Sequence, residues 1–308
     1  MITPSHIVDT HQHVFWSGRD DDGLIRDMDE HGIAYAWLLS WDMAPGETHA
    51  NYARSTSPIN LHGNGEPRGM TLREMLIARD HHPDRFVLGY CPHPALPRAP
   101  DLLRAAHEIH GVRVCGEWAH RMVLDDPRAI EMFRVAGELG MPVVLDMNAP
   151  WLPGPEGKLI YQSYWTAGTL DNLERALAAC PDTTFIGHAP GFWRGISADA
   201  DRDPAAYPTG PVVERGRVPQ LLDRHPNLYA DLSAGSGLGA LKRDPAHARR
   251  FLLSWQDRLL FGRDTYGQAL FRFLLDLDLP RELLEKICRL NAEKLVGPPG
   301  PRRTSAIP

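Results

Sequence analysis

The sequence predicts an α/β fold, a single (β/α)₈ (TIM) barrel, and three observations predict it. Eight short apolar, β-branched runs alternate with helical patterns along one chain of 308 residues. Residues of metal-binding type close five of those runs. The three longest loops all follow strands. Alternation of this kind indicates parallel βαβ units, and eight units close a barrel whose βα loops share the C-terminal face. A doubly wound open sheet is the alternative, but no G-x-G-x-x-G follows the first strand to support it.

The first strand, 6–13, ends in His11-Gln12-His13. A helix over 24–31 stops at Gly32, and the second strand is 34–40. The stretch 42–70 is too long and too rich in Gly and Pro for an ordinary connection, and reads as a lid. Thr71-Leu-Arg-Glu74 is a capping-box pattern that opens a helix ending at Pro83. The third strand, 85–90, precedes a helix over 100–110, and the fourth is 112–117. Asp126 and Pro127 form an N-cap and a favoured first-turn proline, and that helix closes at Gly140. The fifth strand, 142–147, opens a second lid loop, 148–168. A helix over 169–180 leads to the sixth strand, 183–188, and a third lid loop, 189–216. A short helix near 217–225, the seventh strand, 228–233, and a helix capped by Asp244-Pro245 come next. The eighth strand is 258–264, and helices fill 267–277 and 280–296. Residues 1–296 thus form the barrel, and the Pro/Gly/Arg-rich tail 297–308 is expected to be disordered.

Composition narrows the function classes. A net charge of −6 with no basic stripe argues against a nucleic-acid partner. The four Cys are scattered and read as reduced thiols, so a cytoplasmic location is expected. No signal segment and no apolar run of membrane-spanning length is seen. The expected partner is a small-molecule substrate, and a homodimer is expected only by analogy.

Successive strand residues alternate faces, so His11 and His13 point the same way. With 15 His in the chain, chance alone supplies such a pair about as often as not, so context must carry it. Glu117, Asp146, His188 and Asp264 end the fourth, fifth, sixth and eighth strands at the same mouth. All suit a divalent ion, which would acidify a bound water for a nearby base. Zn²⁺ is the first expectation, with Mn²⁺ or Fe²⁺ as alternatives. Glu117 reads equally as a rim carboxylate paired with Arg113 or Arg121, and Asp146 as a loop-closing Asp. Arg263 reads as structural, Asp231 as ordering the barrel end or a ligand, and His93, His120 and His225 as surface or supporting histidines. Six of the eight tryptophans, Trp16, Trp41, Trp118, Trp151, Trp165 and Trp193, fall in or beside the mouth loops. Together they suggest an aromatic-walled pocket, with Trp118, Trp151 and Trp193 as substrate-binding candidates.

The motifs Val8-Asp-Thr-His-Gln-His13, Gly187-His-Ala-Pro-Gly191, Asn227-Leu-Tyr-Ala-Asp-Leu-Ser233, Arg258-Leu-Leu-Phe-Gly-Arg-Asp264 and Asn291-Ala-Glu-Lys-Leu295 together resemble the amidohydrolase superfamily. Within it they are similar to the amidohydrolase-2 branch, which also holds the 2-amino-3-carboxymuconate semialdehyde decarboxylase type. The resemblance implies a distorted barrel with a metal at its mouth, bound by His11, His13 and Asp264. Asp264 would also shuttle the proton of the nucleophilic water. One departure matters. The family usually carries a ligand His at the end of strand five, where this chain has Asp146.

The expected function is therefore a metal-dependent hydrolase using metal-activated water on an amide, lactone or similar acyl bond. His188 would polarise the carbonyl or stabilise the oxyanion. Non-oxidative decarboxylation of an aromatic or enoic acid is one alternative. A metal-free hydrolase or small-molecule-binding barrel is another.

Overall fold

The computed structural model describes residues 6–47 and 61–300. The eight expected runs all form parallel strands: β1 (Ile7–Gln12), β2 (Ile33–Leu38), β5 (Phe86–Leu88), β6 (Cys115–Trp118), β7 (Val143–Asp146), β10 (Phe185–His188), β11 (Leu228–Asp231) and β12 (Leu259–Leu260). They lie in two arcs, β1-β2-β5 and β12-β11-β10-β7-β6. Backbone hydrogen bonds join the arcs at both seams. Arg113 N donates to Leu88 O at 2.9 Å and Tyr90 N to Val114 O at 3.0 Å. Across the other seam Thr10 N donates to Phe261 O at 3.0 Å and Asp264 N to His11 O at 2.9 Å. The ring is thereby closed, as expected of a (β/α)₈ barrel.

Val8, Trp37, Val87, Val114, Val144, Ile186, Tyr229 and Leu260, one from each strand run, pack together inside the ring. A larger cluster fills the space between strands and helices. Three register shifts distort the ring, one between Ile7 and Val8 and two that aim the site. On β1, the three steps from Asp9 to Gln12 oppose the two from Ala36 to Leu38. On β6, the three steps from Cys115 to Trp118 oppose the two from Val143 to Leu145. Each is one extra residue, and an extra residue flips every later side chain to the other face. The slips let Val8 and then His11 face inward on β1, and Val114 and then Glu117 on β6.

The helices follow the expected pattern, with Asp126 and Asp244 capping as read. Thr71 makes no side-chain cap bond, so the expected capping box is absent there, and Glu74 is buried instead. A capping box does form at Thr169 with Asn172. Helix Ala234–Lys242 was not expected. Its glycines at 235, 237 and 239 lower intrinsic propensity, and packing overrides them. The final helix over 280–296 is interrupted by a π-turn, Lys286–Leu290, after which Asn291 Nδ2 donates to Leu259 O at 2.8 Å beneath β12.

The three long loops contain structure of their own. Residues β3 (Trp41–Asp42) and β4 (Gly69–Met70) pair antiparallel across the first, whose middle, 48–60, lies outside the described residues. A hairpin of β8 (Trp151–Pro153) and β9 (Leu159–Tyr161) occupies the second. In the third, buried Arg194 donates to the carbonyls of Ala200, Asp203 and Ala205 and gathers the loop. Of the tail, 301–308 lies outside the described residues. Among the described residues no helix is long and apolar enough to cross a membrane.

Candidate metal centre

His11, His13, Glu117, Asp146, His188 and Asp264 meet at the C-terminal mouth, where all but His11 line a cavity of about 170 Å³. His11 lies beneath it, fully buried. The tautomers of the first two histidines follow from their partners. His11 Nδ1–H donates to Asp231 Oδ2 at 2.7 Å, and His13 Nδ1–H donates to Leu39 O at 3.0 Å. In the neutral rings each Nε2 therefore presents a lone pair.

Those two lone pairs face two carboxylates. His11 Nε2 is 3.4 Å from Glu117 Oε1 and 3.7 Å from Asp264 Oδ1. His13 Nε2 is 3.6 Å from Glu117 Oε2 and 3.3 Å from Asp264 Oδ1. Ligands bonded to a tetrahedral ion at about 2.0–2.2 Å stand roughly 3.3–3.6 Å apart. Three of the four separations fall in that range and the fourth exceeds it by 0.1 Å, and His11 Nε2 has no hydrogen-bond partner among the described residues. The charge balance agrees. Burial disfavours a charged His11, yet Asp264, Glu117 and Asp231 outweigh it and push its pKa well above the ordinary value. A ring so surrounded calls for positive charge, which an ion at Nε2 supplies in place of a proton. The residues therefore fit a divalent ion.

Asp264 reaches the centre through a left-handed backbone, φ 53°, tied by its N–H to His11 O. Burial raises its carboxyl, but His11, His13 and His188 outweigh burial and hold it well below the carboxylate range. Gly262, two residues earlier, is required by close approach. A Cβ there would stand 2.7 Å from Asp231 Oδ1 and 2.9 Å from His11 Cβ.

His188 completes the mouth. Ser233 Oγ donates to Asp231 Oδ2 at 2.7 Å and so accepts from His188 Nδ1 at 3.0 Å, leaving Nε2 facing Asp264 Oδ2 at 3.6 Å. Burial and His11 pull the His188 pKa down, but Asp231 and Asp264 outweigh them and push it up to about 9. With Glu117 and Asp146 it forms a second set of adjacent donors. Asp146 accepts from Asn148 Nδ2 at 2.9 and 3.0 Å. Burial and the neighbouring Glu117 raise its pKa to about 7. Burial also raises Asp231, yet hydrogen bonds from His11 and His188 hold it far below the usual range.

Other expected placements change. Glu117 pairs with neither arginine. Arg113 donates to Pro298 O and Arg121 to Ser163 O. Trp118 does not reach the cavity, because the β6 slip turns it outward against Phe133, ring centres 4.7 Å apart. Trp151 is half exposed on the β8–β9 hairpin against Tyr161. Trp193 lines an adjoining cavity, while Trp16 and Trp41 line the mouth. His93 and His120 are buried rather than on the surface. With Glu47 they form a third donor group. There the Ala95 N–H occupies His93 Nδ1 at 3.2 Å, so Nε2–H donates to Glu47 and offers no lone pair to an ion. Sequence reasoning missed Ser233, Asn148, Tyr207 and Ser236. Ser233 shares a face with Asp231 by period two, the one signal that could have found it.

A closed barrel with two histidines and two carboxylates converging at its C-terminal mouth defines the class of metal-assisted barrel enzymes. The chain belongs to the amidohydrolase family, whose profile matches residues 8–297. Among curated protein sequences nothing matches it. Solved structures show the same fold. A probable 2-pyrone-4,6-dicarboxylic acid hydrolase from Acinetobacter baumannii is 14% identical at a TM-score of 0.55, covering 94% of this chain and 98% of its own. A 2,6-dihydroxybenzoate decarboxylase from Rhizobium is 16% identical at 0.54, covering 95% and 98%. A 5-carboxyvanillate decarboxylase from Novosphingobium aromaticivorans, complexed with manganese, is 16% identical at 0.51, covering 88% and 78%.

Proposed function

We propose that this chain is a divalent-metal-dependent hydrolase of an amide, lactone or similar acyl bond in a small, flat substrate. The observation that carries the reading is Asp264, whose carboxylate stands between His13 Nε2 at 3.3 Å and His188 Nε2 at 3.6 Å at the open mouth. His11, His13, Glu117 and Asp264 would hold the ion, Zn²⁺ first among candidates, with Mn²⁺ supported by the manganese-bound relative of the same fold. When bound, the ion supplies Lewis acidity and makes water at the mouth acidic near neutral pH. Asp264 takes the proton of that water and passes it to the leaving group. His188 donates from Nε2 to the carbonyl oxygen and stabilises the negative charge that develops there.

A second reading, decarboxylation of an aromatic or enoic acid, is favoured by Asp146. Burial holds its carboxyl above the usual carboxylate range, which suits it to carry the proton that replaces CO₂ on carbon.

Metal per chain by elemental mass spectrometry, on protein purified without chelator, tests the shared premise. One equivalent is expected. No metal, with none taken up from Zn²⁺ or Mn²⁺, would overturn both readings. A screen of lactones, amides and aromatic acids then separates them, because only decarboxylation releases CO₂. Asp264→Asn should lower hydrolysis by at least about a hundredfold with the fold intact.

A further inference from the structure

Beside the metal mouth lies a second cavity of about 300 Å³, which shares Pro190, Tyr207 and Ser236 with it. One wall is the helix Ala234–Lys242, whose C-cap, Arg243, keeps helical backbone angles. Ser236, Gly239, Ala240 and Arg243 line the cavity. Positions i, i+3, i+4 and i+7 share one helix face, so the cavity runs along that face from the mouth outward. Seven residues of helix place Ser236 and Arg243 roughly 10 Å apart along the axis. Trp193, 1% exposed, borders the cavity, its indole fixed by donating Nε1–H to Asp231 O at 2.9 Å.

Two polar groups in this wall lack partners among the described residues. Ser236 Oγ is buried without a hydrogen bond, although a helical serine ordinarily bonds back to the preceding turn. Arg243 is held in place by two carbonyls, Nε to Gly210 O at 3.0 Å and Nη2 to Pro211 O at 3.3 Å, with Asp199 Oδ1 at 3.7 Å. Its side chain is 3% exposed, and Nη1 has no acceptor. A buried guanidinium donor without an acceptor calls for an explanation; Arg263 Nη2 and Arg289 Nε share that state, but Arg243 is the one beside the cavity that opens from the metal mouth. Gly239 keeps the space open, since a Cβ there would meet nothing within 4 Å.

We propose that this cavity binds the far end of the substrate, an elongated flat acid. Its reacting group sits at the metal mouth beside Ser236, its aromatic body lies along the helix face over Gly239 and Ala240, and its distal carboxylate meets Arg243. The assignment rests on the mouth being the reacting centre.

Biphenyl-4,4′-dicarboxylate spans the required length, and biphenyl-4-carboxylate is the same body without the distal anion. Calorimetric titration of the metal-loaded protein should show the diacid binding about tenfold tighter than the monoacid. Arg243→Gln should abolish that preference. Gly239→Leu, a change that favours helix, should weaken both biphenyl acids while leaving benzoate affinity and bound metal unchanged. Equal affinities in the unaltered protein, absence of binding included, would overturn the proposal, as would a preference that survives Arg243→Gln. Protein that binds no metal yet shows the preference, and loses it in Arg243→Gln, would sink the metal reading and keep the subsite.

Discussion

Asp231 Oδ2 stands 2.7 Å from His11 Nδ1, on the opposite side of the imidazole from the Nε2 that faces Glu117 and Asp264. One buried carboxylate that does not line the mouth cavity thus sets the tautomer of the most buried ligand candidate. It also receives Ser233 Oγ and, at 3.3 Å, His188 Nδ1. Orienting partners of this kind raise ligand basicity and fix ring direction.

Asp231→Ala should therefore weaken metal binding by about 10- to 100-fold, read by competition against a chromogenic chelator. Far-UV circular dichroism should be unchanged. An affinity within twofold of the original would show that the ring holds its direction without Asp231.

Gly262→Ala should damage the same centre from the backbone side. The added methyl would press on Asp231 Oδ1, His11 Cβ and, at 3.1 Å, Ser233 Cβ. Overpacking of this kind costs about 1–3 kcal/mol, and here it also displaces Asp231, which aims His11. A fall in melting temperature together with weakened metal uptake is expected. A variant as stable and as metal-avid as the original would mean that β12 can move away from β1.

The parity of the strands explains how much of this site was legible. Asp146, His188, Asp231 and Asp264 lie two or four residues beyond the inward Val144, Ile186, Tyr229 and Leu260, so period two places them correctly. Trp118 and Glu117 were harder. Their facing depends on the extra residue between Cys115 and Trp118, and nothing in Cys-Gly-Glu-Trp announces a slip that only pairing with β7 creates. The His-x-His pair was read correctly as sharing a face, but its inward direction also depends on a slip in β1. The long loops were visible as Gly/Pro-rich, while their hairpin and their carbonyl-gathering Arg194 carry no periodic signal, and the adjoining cavity arises from contacts far apart in sequence.

Arg263 shows a residue whose bland reading held and whose weight exceeded it. Its Nε donates to Asp9 Oδ2 and its Nη1 to Asp27 Oδ2, both at 2.6 Å, and all three side chains are buried. The pair ties β1 and the first helix to the chain immediately before Asp264. Arg263→Met should cost about 3–5 kcal/mol, because two buried carboxylates lose their main cation. Urea unfolding measures it, and a loss below about 1 kcal/mol would show that Arg19, 3.0 Å from Asp27, can take over.

Asp146 offers a pH-dependent prediction that needs no substrate. Burial first, and the Glu117 charge second, raise its folded pKa to about 7, while the unfolded chain keeps the ordinary carboxylate value near 3.9. Between those values the unfolded chain is ionised and the folded one protonated. The folded state therefore binds the extra proton, and stability from this group falls as pH rises from about 4 to 7. Asp146→Asn removes the titration while keeping an oxygen for Asn148 and Thr166. In chelator-treated protein the variant should gain on the original as pH rises across that window. The difference in melting temperature should grow by roughly 4 °C or more, given a few degrees per kcal/mol in a chain of this size. A difference that stays constant from pH 4 to 7 would mean that Asp146 is ionised throughout, and would remove the proton donor on which the decarboxylation reading depends.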